Sequence, residues 1–218
     1  MNKLLSVVAS LAVVGTVSAA PVTISDFTWD DDPEDLLQNV LARNGIDINN
    51  YTLKDNIETW VAQTADNWII EEVAMNAGIN SFGYYKAGDV SSKVEIFPGS
   101  ATGGDFASVL ISADNPVEIG FYLDVKGSPV FYSEAFLHGG DGQVAVFQND
   151  DNAKEFVLAW EDLSIANGIT RQVNSSFSDA DYNDFIVKVR VPEPATLSLL
   201  GLSLLSISGL SFFRRKQR

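Results

Sequence analysis

The chain has 218 residues, and its 29 Asp and Glu side chains outnumber its 14 Lys and Arg side chains. The imbalance lies in the middle of the chain, since residues 21–191 hold 28 of the acids and only nine of the bases. Such a charge repels a phosphate backbone, which excludes nucleic acid as a partner, and favours divalent cations or simple solubility. The absence of cysteine and the single histidine, His138, exclude disulfides, thiolate or two-histidine zinc sites and a cysteine nucleophile. A Ser-His-Asp triad would have to use His138.

The first twenty residues have the three parts of a secretory signal peptide. Lys3 supplies positive charge, residues 4–17 are almost wholly apolar, and three small residues follow. Val17-Ser18-Ala19 fits the small-x-small rule, which predicts cleavage after Ala19 and removal of residues 1–19. An uncleaved membrane anchor is the alternative.

Residues 20–78 are predicted to form a helical N-terminal segment, after a short strand and acidic turn over Ser25–Asp32. Pro33-Glu34-Asp35 suits the first turn of a helix, because proline needs no amide hydrogen there and acids complement the helix dipole. The helix is predicted to end at Asn44-Gly45.

A second helix is predicted from Leu53 to about Asn76, ending at Ala77-Gly78. Its apolar residues lie close to one stripe of period 3.6, which is typical of a helix with one buried face. The residues of this stripe are Leu53, Ile57, Trp60, Val61 and Trp68.

From Ile79 onward, short aromatic-rich apolar runs alternate with Gly, Pro, Asn and Asp. Regular spacing of such runs predicts an antiparallel β-sandwich or jelly roll over residues 79–191, so the chain as a whole is expected to be mainly β. His138-Gly139-Gly140-Asp141-Gly142 is predicted to be a hairpin turn. The predicted strands are Ser81–Tyr85, Lys93–Phe97, Ala107–Ile111, Val117–Leu123, Val130–Phe136, Gln143–Gln148, Glu155–Trp160 and Asp184–Val191.

Acidic residues cluster where the last two predicted strands would meet. The run Phe156–Trp160 ends in Glu161-Asp162, and an acidic block directly precedes the next strand. If the two strands are neighbours, up to five carboxylates and one amide oxygen meet at one edge of a sheet. Calcium takes six to eight oxygen ligands and would relieve the repulsion. The predicted calcium ligands are Glu161, Asp162, Asp179, Asp181, Asn183 and Asp184.

The acidic block is not an EF-hand loop. Asp179-x-Asp181-x-Asn183 matches its first half, but Asp184 replaces the required glycine and Arg190 stands at the position of the bidentate glutamate. The alternative to calcium is that these side chains cap turns by accepting hydrogen bonds from backbone amides.

The C-terminal segment, residues 192–218, has the composition of a membrane-spanning tail. Pro192-Glu193-Pro194 precedes nineteen residues without a charge, Ala195–Phe213, and then the basic tip Arg214–Arg218. At ~1.5 Å per residue the apolar stretch spans roughly 28 Å, about one hydrocarbon core. The positive-inside rule keeps the basic tip in the cytoplasm, so the acidic domain is predicted to lie outside the membrane.

Pro192-Glu193-Pro194-Ala195-Thr196, the apolar span and the basic tip closely resemble the PEP-CTERM sorting signal of Gram-negative bacteria. The resemblance implies that an exosortase, a membrane protease-transpeptidase, recognises Pro192, Glu193 and Pro194 and processes the protein nearby. It also implies a cell-envelope protein that is anchored before processing, then lies at the surface or outside the cell, in a system that accompanies exopolysaccharide production. An ordinary tail anchor is the alternative.

Phe156–Leu163 and Ser178–Val191 resemble the end of the bacterial domain of unknown function 4114, in which a Glu-Asp dipeptide precedes an Asp-x-Asp-[Phe/Tyr]-Asn-Asp block. The resemblance covers about Ala77–Val191 and implies a surface location and calcium rather than a reaction. Further similar features are Ala77-Gly78, Asn80, Phe82-Gly83-Tyr84-Tyr85 and Gly120-Phe121-Tyr122-Leu123.

Three functions remain open from the sequence. The first is a calcium-stabilised, non-catalytic surface or biofilm-matrix protein that contacts extracellular polysaccharide. The second is a lectin-like module whose exposed aromatic residues stack on sugars, with Trp29, Tyr84, Tyr85 and Tyr132 as candidates. The third is a glycoside hydrolase using Glu161 and Asp181 as its carboxylate pair.

Overall fold

The computed structural model describes Ile24 and residues 33–54, 56–73, 78–126, 130–138, 142–163 and 180–192. Within those ranges it has one α-helix, α1 (Leu37–Arg43), three short 3-10 turns and eleven strands. The turns are Pro33–Asp35, Ile48–Asn50 and Ala135–His138. The strands are β1 (Tyr51–Leu53), β2 (Trp60–Ala62), β3 (Thr64–Glu71), β4 (Asn80–Lys86), β5 (Asp89–Phe97), β6 (Phe106–Leu110), β7 (Val117–Val125), β8 (Val130–Tyr132), β9 (Val144–Asn149), β10 (Glu155–Trp160) and β11 (Phe185–Arg190).

Three predicted segments lie outside the described residues: the signal peptide, the Ser25–Asp32 strand and the apolar span Ala195–Phe213. Among the residues that are described, no helix combines the length and the apolar content needed to cross a bilayer.

The predicted first helix is confirmed. It begins as the 3-10 turn Pro33–Asp35 and continues as α1, whose buried side chains Leu37, Val40 and Leu41 are spaced three and one apart on a single face. It ends at Asn44-Gly45, where Gly45 has φ +76°. Glycine adopts this left-handed conformation without the steric cost that a side chain brings.

The predicted second helix, from Leu53 to about Asn76, is wrong, because this region forms β1, β2 and β3. Trp60 and Ala62 are buried, whereas Val61 between them is 58% exposed. Burial alternates again along most of β3. A strand buries every second residue, so the apparent period of 3.6 arose from a few positions that both patterns share.

The eight strands predicted between Ser81 and Val191 are confirmed, and all but Glu155–Trp160 have shifted ends. The largest shifts are four residues: β5 begins at Asp89 rather than Lys93, and β8 stops at Tyr132, where a 3-10 turn follows. The strands form two antiparallel sheets. One has six strands in the order β1-β9-β10-β11-β3-β6, and the other has the order β2-β7-β4-β5 with β8 paired to β7. Residues 51–71 therefore supply strands to both sheets.

Two hydrophobic cores share the six-stranded sheet. Its inner face packs on the five-stranded sheet, where the Phe82 ring centroid lies 5.9 Å from that of Phe185 and 6.4 Å from that of Trp160. Its outer face packs on α1, in a second core that includes Leu41 and Ile186. The predicted sandwich of antiparallel sheets is thus present, with a helix added on one side.

Candidate functional site

The strands β10 and β11 are antiparallel neighbours, as the sequence predicted. Their ladder ends with Trp160 opposite Phe185, so the residues that follow β10 meet those that precede β11. The backbone N–H of Asp162 donates to Asp184 Oδ2 at 2.8 Å. The predicted convergence of the Glu161-Asp162 pair with residues 181–184 at one end of the sheet is therefore confirmed.

Alternation along β10 sends the two acids to opposite faces of the sheet. Trp160 belongs to the inner core, so Glu161 continues toward the outer face and Asp162 toward the inner face. Both side chains are buried, with 0% and 1% exposure. This separates two groups of side chains. The loop group is Glu161, Asp181, Asn183 and Asp184, and the inter-sheet group is Glu72, Asn80 and Asp162.

Hydrogen bonds within the loop group are of the kind that cap turns. Asn183 donates its backbone N–H to Asp181 Oδ1 at 3.3 Å and its side-chain Nδ2 to Asp181 Oδ2 at 2.6 Å. The same Nδ2 donates to the carbonyl oxygen of Asp35, which connects the loop to the turn before α1. Capping thus engages both carboxylate oxygens of Asp181 but only one oxygen of Asp184 in the bonds described.

The loop backbone is held in an uncommon conformation. Ala180 and Tyr182 have φ +60° and +56°, in the left-handed region that side chains disfavour. Tyr182 donates its backbone N–H to Glu161 Oε1 at 2.5 Å and its hydroxyl to the carbonyl oxygen of Gly142 at 2.6 Å. Both left-handed residues are buried. Strained residues of this kind persist where the surroundings fix them, which is common at binding sites.

Asp184 is an unfavourably placed carboxylate of the loop group. Burial raises the pKa of Asp184 well above its ordinary value, and the negative charges of Glu161, Asp162 and Asp181 raise it further. The N–H bond from Asp162 lowers the pKa but does not offset these effects. An ionised Asp184 is therefore costly at neutral pH, and either a proton or a bound cation would relieve that cost.

The inter-sheet group contains two residues that sequence reasoning did not predict as ligands. Asn80, which is 2% exposed, donates Nδ2 to Asp162 Oδ2 at 3.1 Å. Its Oδ1 is buried without a hydrogen-bond partner, and so is Oε1 of Glu72. Glu72 lies in the segment that is wrongly predicted to be a helix, and Asn80 belongs only to a family resemblance. Neither residue therefore shows a sequence pattern that indicates metal binding.

Burial raises the pKa of Glu72. The N–H of Gly78, which donates to Glu72 Oε2 at 3.1 Å, and the amide of Asn80 oppose that rise, whereas the charge of Asp162 adds to it. Glu72 therefore lies close enough to Asp162 for the two carboxylates to repel each other.

The predicted ligand Asp179 lies outside the described residues. In the part of the chain that the structure describes, no three His, Asp or Glu side chains are arranged to hold a metal ion by themselves. Calcium also uses amide and backbone oxygens, which Asn80, Asn183 and the loop backbone can supply.

Comparison with known protein families gives a match at the end of the chain. Residues 190–216 match the PEP-CTERM protein-sorting motif. A PEP-CTERM motif marks a secreted protein that an exosortase processes at the cell envelope, so this chain is an exosortase-targeted exported protein. No curated protein and no solved structure matches the chain. The resemblance to the domain of unknown function 4114 stays a prediction.

The match to the PEP-CTERM motif begins at the last two residues of the folded domain, Arg190 and Val191. The last strand, β11, ends at Arg190, and Val191 is a buried member of the inner core. The Val191 N–H donates to the carbonyl oxygen of Lys154 at 2.9 Å. Pro192, the first residue of the Pro-Glu-Pro sequence, is half-buried and is the last residue described. Pro192-Glu193-Pro194 can therefore be replaced without changing Val191 or the strand before it.

Metal-free protein is expected to lose stability through Asp184 as the pH rises above about 4 and passes the raised folded-state pKa. The folded-state pKa of Asp184 is raised, so its contribution to the free energy of unfolding is full below its unfolded-state pKa of about 3.9. That contribution is lost as the pH rises past the raised folded-state pKa. Melting temperatures of the wild type and Asp184→Asn in metal-free buffer should diverge with pH, with the wild type falling more steeply.

The exposed Asp151 provides the control for this experiment, because Asp151→Asn removes the same charge from a surface turn. The melting temperature of Asp151→Asn should change with pH in the same way as that of the wild type. If the melting temperature of Asp184→Asn also changed with pH in the same way as that of the wild type, the placement of Asp184 among like charges would be contradicted.

Proposed function

We propose that this exported protein carries a calcium-stabilised, non-catalytic β domain that serves as a surface or extracellular-matrix component after exosortase processing. The observation that carries the proposal is the position of the partly buried Asp184 carboxylate beside the negative charges of Glu161, Asp162 and Asp181. Calcium bound to the loop group would offset two of these negative charges, and Asp179 together with backbone carbonyls would complete the oxygen shell.

Calcium is favoured over other cations by the donor set and by the location. Carboxylate and amide oxygens are hard ligands, which suit calcium in a flexible shell of six to eight oxygens. The chain has no cysteine and one histidine, so soft-metal ligands are scarce. Extracellular modules bind calcium with dissociation constants of about 10⁻⁴–10⁻³ M, and an exported protein meets such concentrations.

Burial of the carboxylates supports a structural role over catalysis. Glu161 is 0% exposed and Asp181 is 1% exposed. A glycosidase needs both carboxylates within reach of the scissile bond. Polysaccharide turnover that is lost in Glu161→Gln would favour the hydrolase alternative.

The lectin-like alternative has less support than the proposed role, because the candidate aromatic residues that are described pack against other side chains. Tyr85 is fully buried, Tyr84 packs against the inner core, and Tyr132 packs edge-on against Tyr85 with ring centroids 5.2 Å apart. Trp29 lies outside the described residues. Contact with extracellular polysaccharide, as part of an exopolysaccharide matrix, stays within the proposal. Glycan-array binding that survives calcium chelation would favour the lectin instead.

Melting of the full chain in mild detergent, with increasing free calcium, tests the proposal. An ion that binds only the folded state at 100 times its dissociation constant adds about 2.7 kcal/mol. For a protein of this size that is a rise in melting temperature of roughly 5–11 °C. Magnesium should give a smaller rise, because it demands a stricter octahedral shell. A melting temperature that is independent of calcium would overturn the proposal.

A further inference from the structure

A bulge in β3 turns Glu72 toward the space between the sheets. Val187 of β11 pairs with Ile69, but Ile186 pairs with Glu71, so β3 contains one extra residue at this point. The shift places Glu71 on the outer face, where Arg43 of α1 forms an ion pair with it. Glu72 then faces the opposite way, which is the common effect of a bulge on the next side chain.

Asn80 enters the same space from the other sheet. It is the first residue of β4 and lies on the same side of the strand as Phe82, which belongs to the inner core. Its bond to Asp162 Oδ2 crosses from the five-stranded sheet to the six-stranded sheet. Glu72, Asn80 and Asp162 therefore lie together at one end of the sandwich.

The inter-sheet group has more acceptor oxygens than donors. Oδ1 of Asn80 and Oε1 of Glu72 are buried without hydrogen-bond partners, and Asp162 adds a buried carboxylate beside them. A buried acceptor without a donor destabilises the folded protein, because it has lost its hydrogen bonds to water. A water molecule could donate to both free oxygens, but it would not offset the repulsion between the carboxylates of Glu72 and Asp162. A cation satisfies the oxygens and the charges together.

We infer that Glu72, Asn80 and Asp162 form a cation-binding group that joins the two sheets. The identity of the ion, calcium, rests on the proposed function, whereas the ligands come from the inter-sheet group. A bound ion would connect the end of β3 and the end of β10 to the start of β4, at the edge of the inner core. It would stabilise the packing of one sheet on the other.

Calorimetric titration of the full chain in mild detergent with calcium chloride tests this inference. Glu72→Gln keeps the shape of the side chain but removes its charge, so calcium affinity should fall by at least about tenfold. Glu95→Gln is the matched control, because Glu95 is exposed on β5 and its loss should leave the affinity unchanged.

Asn80→Asp provides a second variant that distinguishes a cation from a buried water or a protonated Glu72. It removes the donor to Asp162 and adds a carboxylate, so the metal-free protein should melt at a lower temperature. Saturating calcium should restore the melting temperature to that of the wild type, because the added oxygen remains a ligand. A variant that calcium does not rescue would overturn the inference.

The outcomes separate this inference from the proposed function. If the wild type binds no calcium, both are overturned. If Asp184→Asn weakens binding while Glu72→Gln does not, the inter-sheet group is overturned and the loop group stands. If Glu72→Gln weakens binding while Asp184→Asn does not, the inter-sheet group is the site and the loop group is not.

Discussion

Asp184→Asn is expected to stabilise the metal-free protein and to destabilise the calcium-bound protein relative to the wild type. Without calcium, the amide removes a partly buried charge that lies beside Glu161, Asp162 and Asp181, while its Oδ1 can still accept the N–H of Asp162. The gain should be on the order of 1 kcal/mol, which corresponds to a rise in melting temperature of roughly 2–4 °C. In the presence of calcium, the variant lacks one charged ligand for the ion and is therefore stabilised less by calcium than the wild type.

In saturating calcium the order should reverse. The wild type gains about 2.7 kcal/mol at 100 times its dissociation constant, and a variant with weaker affinity gains less at the same concentration. Melting curves of both proteins, in chelator and in millimolar calcium, measure this crossing. Asp151→Asn, which removes an exposed charge, should show no crossing.

The crossing distinguishes ligation from turn capping. If Asp184 only caps the N–H of Asp162, the effect of the variant would be the same with and without calcium. A difference between the two proteins that does not depend on calcium would therefore refute metal binding by the loop group, while the described hydrogen bonds would still account for the loop conformation.

Replacement of Pro192-Glu193-Pro194 by three alanines is expected to abolish processing by the exosortase almost completely. These residues are the Pro-Glu-Pro sequence within the matched PEP-CTERM motif. Immunoblots of cell fractions from a host that carries an exosortase should show the unprocessed form in the membrane and little protein at the surface. The fold should persist, because the replaced residues follow Val191, which belongs to the inner core.

Val191→Ala is the matched control for this experiment. It removes buried side-chain volume next to the motif and should lower stability by about 1–2 kcal/mol, yet it leaves Pro192-Glu193-Pro194 intact. It should therefore be processed like the wild type. If the triple-alanine protein reaches the surface in processed form as efficiently as Val191→Ala, recognition of the motif would be refuted.

Sequence reasoning worked where a signal is local. The strand Glu155–Trp160 was predicted with its observed ends, because an unbroken apolar run stops abruptly at two acids. The convergence of Glu161 and Asp162 with the block before β11 followed from one assumption, that consecutive strands are neighbours. Neighbouring strands joined in sequence commonly pair in sheets, and here they do.

Sequence reasoning failed where a strand forms only because it pairs with strands that are far away along the chain. The pairing of β3 with β6 and β11 joins segments that are far apart along the chain, and no local pattern records it. Trp68 illustrates the error, because it resembles a core residue of a helix but lies on the outer face of the sheet with Phe106, at a ring-centroid distance of 5.0 Å.

The linear order of the sequence alone determined that this protein is targeted to an exosortase, because the PEP-CTERM motif is a contiguous segment. The signal peptide is a prediction of the same local kind. The linear order also determined which acids follow β10 and precede β11. Only the tertiary structure decided that Glu161 and Asp162 belong to different groups, and that Glu72 and Asn80 join the second. The reason is geometric: alternation, a bulge and the packing of two sheets bring together side chains that no spacing along the chain connects.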